Sequence, residues 1–427
     1  MQMAMAVGNC SAEDADLLRR AMGSKRGQEK ISSLRSKLYA GMTENGIGPE
    51  DADIIYRKIE AFANFGFAES HSTSFALLVY SSSWFKLHYP AAFLAALLRA
   101  QPMGFYSPQS LTADARRHGV EVRRPDIQRS GVQAGLEPLV PAANVPAASG
   151  LTAETGFTAE TGLDGCVQPP PPAAQTFNRE APDRSAEHRR DGDLAVRLGL
   201  DEVTSIGSAL AGRIVDERDQ HGPYLSMADL SRRVGLTTPQ LEALATAGAF
   251  ESLGLTKREA LWEAGNASQE RAEYLPGTFV SVQPPLLPML SAEEQVVYDL
   301  WATGVSPDDH PLQHVREQLS RRGALSVAQI ATAESGRRIE SAGVVTHRQR
   351  PATASGITFM NLEDETGLLN VICSVGVWNR YRRVARESPA LIVRGMLERS
   401  VEGVTNLLAD GFEDLRVGVQ HQSRDFR

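Results

Sequence analysis

The chain has 427 residues, and its 44 Lys and Arg against 52 Asp and Glu give a formal net charge of −8 at pH 7. A hydrophobic content of 42% and a charged content of 22% are typical of folded globular proteins, and the length allows two to four domains. The acidic total excludes a protein that is basic throughout, so a nucleic-acid surface would have to be a local patch.

Cysteine usage and hydropathy favour a cytoplasmic protein. The three cysteines, Cys10, Cys166 and Cys373, are far apart and form no CxxC pair, which argues against a zinc site or a disulfide framework. The N-terminus lacks the basic start and the full apolar core of a secretory signal. The apolar run at 75–80 is too short to span a bilayer, so we expect no membrane association.

The first 125 or so residues are predicted to be helical. A helix is expected over 12–22, and Pro49-Glu50-Asp51 is typical of a helix start. A further helix should run from about Ser72 to just before Pro90, because the residue before proline resists the α region. A helix over 107–118 should end at Gly119.

From about Gly131 to Gly192 the composition changes. GLTAET at Gly150 is followed directly by GFTAET at Gly156, and four consecutive prolines begin at Pro169. Such a segment lacks the apolar density that would offset its ordering entropy. We predict a flexible low-complexity insert with no chemistry of its own.

Short helices return after Asp193, and strands follow after Arg337. The predicted helices cover 210–218, 226–234, 238–247 and 291–303. The predicted strands cover 342–346, 357–362, 368–373, 390–397 and 404–409, with a helix over 378–385 between the third and the fourth.

That order of five strands and one helix predicts an OB-fold, a small barrel that binds single strands on one face. The segment 346–351 is predicted as a basic first loop and 361–367 as the turn between the second and third strands. Candidate DNA contacts on this barrel are listed here: His347, Arg348, Arg350, Phe359 and Arg380. In the alternative reading, Phe359 and Trp378 belong to the core and the arginines form a solvated face.

A glycine-containing hairpin precedes the helix predicted at 210–218. A tight turn immediately before a helix presents backbone N–H groups that can hold a phosphate. A helix-hairpin-helix binds the DNA backbone in this way. We name Ile206, Gly207, Ser208 and Arg213 as candidate DNA contacts, although Ser205 stands where the motif usually has glycine. A second unit over 241–250 makes the motif a tandem pair.

Catalytic signals are weak. Ser70 and His71 are adjacent, which suits neither a nucleophile elbow nor a triad. Asp51 and Asp53 alternate like a metal pair but lie at a helix start, where capping explains them better. Residues 308–311, Asp-Asp-His-Pro, are better explained as a turn or helix start than as a metal cluster. GxxxxGK[ST], GxGxxG and HExxH are all absent.

Several long motifs carry a family resemblance. FGFAESH at 65–71, SWFKLHYPAAF at 83–93 and LLRRAMG at 17–23 resemble the fingers of bacterial C-family DNA polymerases, the DnaE-type alpha subunits of polymerase III. QPMGFYSPQS at 101–110, DARRHGV at 114–120, HRQRPAT at 347–353, NLEDETG at 361–367 and SRDFR at 423–427 resemble the error-prone, damage-tolerant branch. The resemblance covers nearly all of the chain except the insert.

The resemblance implies the family order of PHP domain, palm with thumb, fingers, helix-hairpin-helix pair and OB-fold. This chain then starts inside the fingers, and the palm with its Mg²⁺-binding aspartates would lie before Met1. It follows that this chain binds no cofactor itself, and that primed and single-stranded DNA, with dNTP in the full-length enzyme, are its expected ligands. Candidate nucleotide contacts implied by the resemblance are Arg19, Arg20, Lys25, Arg26, Ser70 and His71.

Two departures and one absence qualify the resemblance. Ala68 replaces an expected proline or asparagine, and residues 72–74 are more polar than in related sequences, which leaves the nucleotide contacts open. Residues 295–300 match a clamp-binding peptide poorly. That suits the error-prone branch, for which mutasome accessory proteins, and through them the sliding clamp, are the implied partners.

The predicted fold is multidomain, mainly α with a C-terminal β-barrel. The expected order is 1–128 fingers, 129–192 insert, 193–262 tandem helix-hairpin-helix, 263–335 helical connector, 336–415 OB-fold and 416–427 tail. The leading hypothesis is a DNA-binding C-terminal portion of an error-prone polymerase that is inactive without its palm. Activity with a separately encoded palm, a mutasome adaptor and the product of a decayed gene stay open as alternatives.

Overall fold

The computed structural model describes residues 2–21, 31–61, 69–104, 106–139, 184–270, 286–351, 354–400, 404–417 and 424–426. The chain divides into two compact units, Met1–Trp84 and Phe85–Arg427. The predicted fingers segment 1–128 is thus shared between both units. Among the described residues, none of the helices is both long and apolar enough to cross a membrane.

The first unit is helical. Its helices are α1 Gln2–Gly8, α2 Ala12–Ala21, α3 Arg35–Glu44 and α4 Pro49–Ala61, and α5 Glu69–His88 begins in it and continues past its end. Leu18, Leu38 and Met42 are almost fully buried in its core. The α1 and α3 backbones approach so closely that a Cβ on Gly41 would lie 2.0 Å from the carbonyl oxygen of Gly8, which only glycine permits.

The position of Asp51 in α4 is compatible with the capping interpretation, whereas Asp53 lies beyond the first turn and was wrongly interpreted as a cap. Pro49 is the first helical residue, and Glu50 and Asp51 lie in the first turn, where the helix dipole favours negative charge. The carboxylate of Asp53 accepts a hydrogen bond from the Tyr39 hydroxyl. This side chain is therefore used in packing α3 against α4.

The second unit opens with two helices and a three-stranded mixed sheet. The helices are α6 Pro90–Arg99 and α7 Pro108–Arg117, followed by strands β1 Val122–Arg123 and β2 Gly135–Pro138, helix α8 Ser185–His188 and strand β3 Leu194–Arg197. Strand β3 lies in the middle, parallel to β1 and antiparallel to β2. Ser107 caps α7 and Gly119 follows it with φ +80°, as predicted.

That sheet corrects the predicted insert over 129–192. Residues 135–138 form a strand of the sheet and 185–188 form a helix, so the low-complexity interpretation is wrong at both ends of the segment. Sequence composition hid the strand because it contains Gly135 and Pro138, which are both rare in strands. The centre of the predicted insert, 140–183, lies outside the described residues.

A compact helical layer follows. It consists of a 3₁₀ turn Leu200–Glu202 and helices α9 Gly207–His221, α10 Met227–Val234, α11 Thr238–Ala247 and α12 Lys257–Ala267. The predicted helices coincide with α9, α10 and α11 to within three residues. Tyr224 and Phe250 are both 1% exposed in their core, and the Tyr224 hydroxyl donates to the carbonyl oxygen of Ile214 at 2.7 Å.

A connector of short helices leads to the barrel. It contains α13 Ala292–Thr303, a 3₁₀ turn Pro311–Val315, α14 Arg316–Arg322 and α15 Val327–Thr332. Ser291 caps α13 by accepting a hydrogen bond from the Glu294 N–H. Nδ1 of His310 accepts from the Leu312 N–H, so the segment 308–311 begins a helical turn as predicted.

The C-terminal barrel has the predicted order of elements. Its strands are β4 Arg338–Gln349, β5 Thr358–Asp364 and β6 Gly367–Cys373, then helices α16 Val375–Arg380 and α17 Arg382–Glu387, then strands β7 Ala390–Arg399 and β8 Thr405–Asp414. The strands neighbour one another in the order β5-β6-β8-β7-β4, and β4 pairs back with β5 to close the barrel. Among these five strands, β6 and β8 form a parallel pair.

Two boundaries of the barrel differ from the prediction. Residues 346–349 continue strand β4 and are not part of a loop. In the predicted tail, strand β9 Arg424–Phe426 pairs in parallel with the end of β4, at His347 to Gln349. The tail pairs there because β7 has already left β4 at Val344, and this exposes the backbone edge of β4.

Candidate nucleic-acid interface

The hairpin before α9 has an unusual backbone. Ser205 has φ +67° and Gly207 has φ +53°, both in the left-handed region. Glycine adopts this region without cost, whereas serine pays a steric penalty in it. Ile206, which precedes the first residue of α9, provides no side-chain cap. In the described part of the chain, the first N–H groups of α9 therefore have no capping side chain at the N-cap position.

A neighbouring helix fixes the position of this hairpin. The Thr204 N–H donates to the carbonyl oxygen of Ala302 at 2.7 Å, and its Oγ1 donates to the carbonyl oxygen of Trp301 at 3.0 Å. Both acceptors are in the last turn of α13, where helix carbonyls lack intrahelical partners. Thr204 was not identified from the sequence, because its partners lie about 100 residues away and leave no local pattern.

The four hairpin candidates have different surroundings. Ile206 is 2% exposed and its N–H donates to the Val203 carbonyl oxygen at 3.0 Å, so it anchors the hairpin in the core and is not available to DNA. Its prediction as a DNA contact is wrong. Ser208 is exposed and its hydroxyl donates to Asp201 at 3.1 Å. Arg213 is exposed, and no ion pair to it is found in the described part of the chain.

The second unit of the pair is built differently. Thr237 precedes α11 and forms a capping box with Gln240, whose side chain accepts a hydrogen bond from the Thr237 N–H at 3.0 Å. A capped helix start has fewer N–H groups to offer an anion. Leu241, Leu244 and Phe250 of the predicted unit are core residues. Of the two units, only the first therefore begins its helix without a capping box.

An ion cluster centred on the buried side chains of Lys257 and Asp299 joins the helical layer to the connector. The Arg124 guanidinium binds the Asp299 carboxylate with both arms, at 3.0 and 2.7 Å, and Lys257 also binds this carboxylate. Burial lowers the pKa of Lys257, against the attraction of Asp299. Asp308 pairs with Arg124 at 2.6 Å. The cluster is a structural crosslink in which each charge is compensated.

On the barrel, Arg348 is buried, although it was predicted to contact DNA from a loop. It is 6% exposed, and its guanidinium donates to the carbonyl oxygens of Ala385 and Ser388 at 2.7 and 2.6 Å. A buried guanidinium that satisfies the last carbonyls of α17 cannot reach a DNA strand. The prediction of Arg348 as a DNA contact is wrong, because 346–349 form a strand and this side chain points into the barrel.

The other barrel candidates are accessible. Arg350 and Arg380 are exposed, and the guanidinium of Arg380 lies over the Tyr381 ring at 5.6 Å. Phe359 is 36% exposed on the outer face, whereas Trp378 packs against the barrel core, as the alternative reading had it. His347 is half-buried in β4. Whether these residues contact DNA stays a prediction.

The motif NLEDETG, residues 361–367, has a structural role. Asp364 is fully buried and accepts from the Arg316 guanidinium at 3.0 Å, the Val327 N–H at 2.9 Å and the Gly367 N–H at 3.0 Å. Its neighbour Glu363 accepts from the Ser110 hydroxyl at 2.6 Å, and burial raises the pKa of Glu363. The motif thus ties the β5–β6 turn to α7, α14 and α15.

The nucleotide candidates are only partly described. Ser70 and His71 lie in the first turn of α5, and the His71 ring meets the Phe75 ring edge-on at 4.3 Å. Arg19 and Arg20 belong to α2, but their side chains lie outside the described residues, as do Lys25 and Arg26. Successive helix residues point about 100° apart, so Ser70 and His71 do not face one another.

Mg²⁺, which the family resemblance implies, needs a cluster of oxygen ligands. No group of three or more His, Cys, Asp or Glu side chains within the described ranges is arranged to hold a metal ion. The residues at hand therefore do not fit such a site, and we derive no metal-dependent step from them.

Comparisons with known proteins agree with this architecture. The family model "Helix-hairpin-helix motif" matches residues 119–260, and "Bacterial DNA polymerase III alpha subunit finger domain" matches residues 1–46. The first match spans the sheet, α9 and the second unit. The finger match is shorter than the predicted segment 1–128.

Curated relatives match the chain along its whole length. Error-prone DNA polymerases from Cutibacterium acnes, Nocardia farcinica and Mycolicibacterium paratuberculosis are 54%, 47% and 46% identical over all of this chain. The match covers 37%, 33% and 34% of these relatives, so the chain spans about a third of their length. By sequence, this chain is similar along its whole length to about a third of the bacterial error-prone DNA polymerases, and it carries the matches to the polymerase III finger domain and to the helix-hairpin-helix motif.

Proposed function

We propose that this chain holds DNA for an error-prone DNA polymerase. The first hairpin grips the DNA backbone, and the barrel holds a single strand of the template. The observation that carries the proposal is the geometry before α9, where Ser205 and Gly207 turn the backbone and Ile206, at the N-cap position, provides no side-chain cap. The nearby Arg213 is exposed.

A phosphate fits this hairpin for two physical reasons. The N-terminus of a helix carries about half a positive charge, and its N–H groups are directed at any ligand placed there. Ala209 lies in the first turn of α9, and Arg213 lies one helical turn after it on the same side of the helix. The positive charge of Arg213 therefore adds to the positive potential at the helix start. Contacts of this kind fix the position of DNA and read no sequence.

The barrel completes the proposal. Closed five-stranded barrels of this topology bind single strands across one face. Arg350 and Arg380 supply exposed cations for phosphates, and Phe359 supplies an exposed ring on which a base can stack. In the whole polymerase we propose that Ser70 and His71 contact the incoming dNTP and that Mg²⁺ binds outside this chain. Mutasome proteins and, through them, the clamp remain proposed partners.

Binding of fluorescent oligonucleotides to the purified chain tests the proposal. We expect both a primed duplex and a single strand to bind, with affinity that falls linearly as salt rises on logarithmic axes. Arg213→Ala should weaken duplex binding and reduce that slope by about 0.9, the value for one lost phosphate contact. Arg258→Ala, which removes a cation paired with Glu294 on another surface, is the matched control. Equal binding by both variants would refute the hairpin site.

A second function is supported by the exposed apolar side chains of α5. Phe75, Leu78 and Tyr80 are 53%, 63% and 74% exposed, and Leu77 and Val79 are similarly accessible. Soluble proteins rarely leave so many large apolar side chains uncovered unless a partner covers them. We propose that α5 docks on the two-thirds of the polymerase that the match does not include.

Reconstitution separates this docking role from DNA binding. The unmatched part of the Cutibacterium acnes polymerase, supplied as a separate chain, should co-elute with this chain. The double variant Phe75→Ser, Leu78→Ser should abolish co-elution and leave DNA binding unchanged, whereas Ser82→Ala in the same helix should change neither. Primer extension by the mixture, and not by either chain alone, would support activity with a separate palm. Co-elution that survives the double variant would refute docking through α5.

A further inference from the structure

A row of side-chain amides crosses the outer face of the barrel. Asn361 on β5 lies directly opposite Asn370 on β6, and Asn370 lies opposite Asn406 on β8. Residues opposite one another in a sheet have their side chains on the same face, with Cβ atoms about 5 Å apart. The buried residues Met360 and Val371, next to them in the chain, point into the barrel, so the three amides point outward.

A parallel row of apolar side chains lies two residues away along the same strands. Phe359 on β5 is opposite Ile372 on β6, which is opposite Leu408 on β8. Leu408 in turn pairs with Met396 on β7. Phe359 and Leu408 are each 36% exposed and Met396 is 46% exposed. The outer face thus presents an apolar stripe and an amide stripe side by side, about 7 Å apart.

The amides are available to a ligand. Within the described ranges, the side chains of Asn361, Asn370 and Asn406 form no hydrogen bond with another residue. Each amide carries both an acceptor oxygen and an NH₂ donor, and it can turn over to present either. Every nucleobase edge also combines donors and acceptors, and single-stranded bases expose those edges. An amide can therefore satisfy any of the four bases.

We propose that the bases of a single DNA strand lie across this face, with their planes against the apolar stripe and their edges bonded by Asn361, Asn370 and Asn406. This deepens the proposed binding of single strands and rests on it. The two stripes match the two surfaces of a base, an apolar plane and a polar edge.

Charge indicates where the phosphates run. Gln349 is paired with Phe359 at one end of the apolar stripe. The next residue along the chain, Arg350, is exposed. Glu398 is paired with Asn406 at the other end of the amide stripe, and its carboxylate repels phosphates. In this arrangement Arg350, at the end of β4, binds phosphate, and neutral base contacts lie across β5, β6 and β8. Base contacts and phosphate contacts can therefore be separated experimentally.

The first test compares salt dependence. The triple variant Asn361→Ala, Asn370→Ala, Asn406→Ala should bind a mixed-sequence 20-mer single strand roughly tenfold more weakly. The slope of log affinity against log salt should stay unchanged, because no counterion is released by a neutral amide. Asn266→Ala, an exposed asparagine of α12, is the control and should bind like the wild type. A triple variant that binds as tightly as the wild type, or one whose slope falls, would overturn the proposal.

The second test removes the bases. A 20-mer that carries a central run of abasic sites keeps the phosphates and loses the base edges, so wild-type affinity should fall about tenfold. The triple variant should lose nothing further on the same oligonucleotide. Additive losses would show that the amides contact phosphate or sugar and would overturn the proposal. If the wild type binds no single strand at all, the proposed function of the barrel fails first, and this result is distinct from wild-type binding with unaffected variants.

Discussion

The backbone N–H of Thr204 donates to the carbonyl oxygen of Ala302 at 2.7 Å, and so ties the hairpin before α9 to the last turn of α13. The Thr204 hydroxyl adds a second bond, to the Trp301 carbonyl oxygen. Two adjacent carbonyls that a helix end leaves free are thereby satisfied by one residue. The connector helix therefore sets where the hairpin lies.

Thr204→Val should lower both stability and duplex affinity. The variant keeps the shape of the side chain and removes the bond to Trp301, at a cost of about 1 kcal/mol in the free energy of unfolding. Thr246→Val removes a similar bond within α11, from Oγ1 to the Glu242 carbonyl oxygen, and serves as the control. Thermal unfolding should show comparable losses, whereas duplex binding should weaken for Thr204→Val alone. Equal affinities would contradict the role of Thr204 in placing the hairpin.

Substitutions at the two left-handed residues of the hairpin should change the free energy of unfolding in opposite directions. Ser205→Gly should raise the free energy of unfolding by up to about 1 kcal/mol, because glycine adopts φ +67° without a steric penalty. Gly207→Ala should lower it by about 1 kcal/mol for the same reason. A Cβ at Gly207 would meet no atom within 4 Å, so backbone strain alone is measured. Thermal denaturation of both variants checks the signs, and destabilisation by Ser205→Gly would contradict the assignment.

Glu202 makes the hairpin region sensitive to pH. Burial raises the pKa of Glu202 from 4.5 to about 7, although its carboxylate accepts a bond from the Gly199 N–H. The unfolded chain therefore releases this proton at lower pH than the folded chain, and stability falls as pH rises from about 4.5 to 7. Glu202→Gln should be more stable than the wild type at pH 8, by about 1–3 kcal/mol, and show no advantage at pH 4.5. A gain of equal size at both pH values would contradict this origin.

Substitution of Arg348 should lower the stability of the barrel, whereas substitution of Arg350 should weaken the binding of single strands. Arg348→Met leaves the Ala385 and Ser388 carbonyl oxygens without their buried donor and should cost roughly 2–4 kcal/mol in the free energy of unfolding of the barrel. Arg350→Ala removes an exposed cation and should stay within about 0.5 kcal/mol of the wild type. In single-strand binding, Arg350→Ala should lower the salt slope by about 0.7. Urea unfolding and anisotropy check both, and an unchanged slope would argue against Arg350.

Asp364 should be the most sensitive acidic residue of the barrel. In Asp364, Oδ2 accepts bonds from Arg316 and Val327 and Oδ1 accepts from the β5–β6 turn. Asp364→Asn replaces one of these acceptor oxygens by an NH₂ group and should cost about 2–4 kcal/mol. Glu317→Gln, which alters an exposed pair with Arg321, should have little effect. Thermal unfolding compares the two, and equal melting temperatures would show that the buried network contributes little.

Local sequence patterns predicted the elements well where each element carries its own signals. Ser107, Ser291 and Gly119 mark helix ends through contacts within four residues, so α7 and α13 were predicted nearly to the residue. The five barrel strands followed from their alternation and from the helix between the third and fourth. Strand β2 was missed because only its pairing with β3, nearly 60 residues away, makes it a strand.

The candidate interface was only partly predictable for the same physical reason. A charge pattern identified Arg213, Arg348 and Arg350 alike, yet the orientation of a side chain in a strand decides that Arg348 is buried and Arg350 exposed. The amide row was not predicted, because the alignment of Asn361 and Asn370 with Asn406 depends on the parallel pairing of β6 with β8. Register across a barrel has no local signature.

The most direct test of the account is the affinity of the purified chain for a 20-mer single strand and for a primed duplex, measured from 50 to 500 mM KCl. The account predicts binding of both, with log affinity falling linearly with log salt, and a slope reduced by Arg213→Ala on the duplex and by Arg350→Ala on the single strand. Absence of binding at 50 mM KCl, or binding that neither salt nor these two substitutions changes, would contradict it.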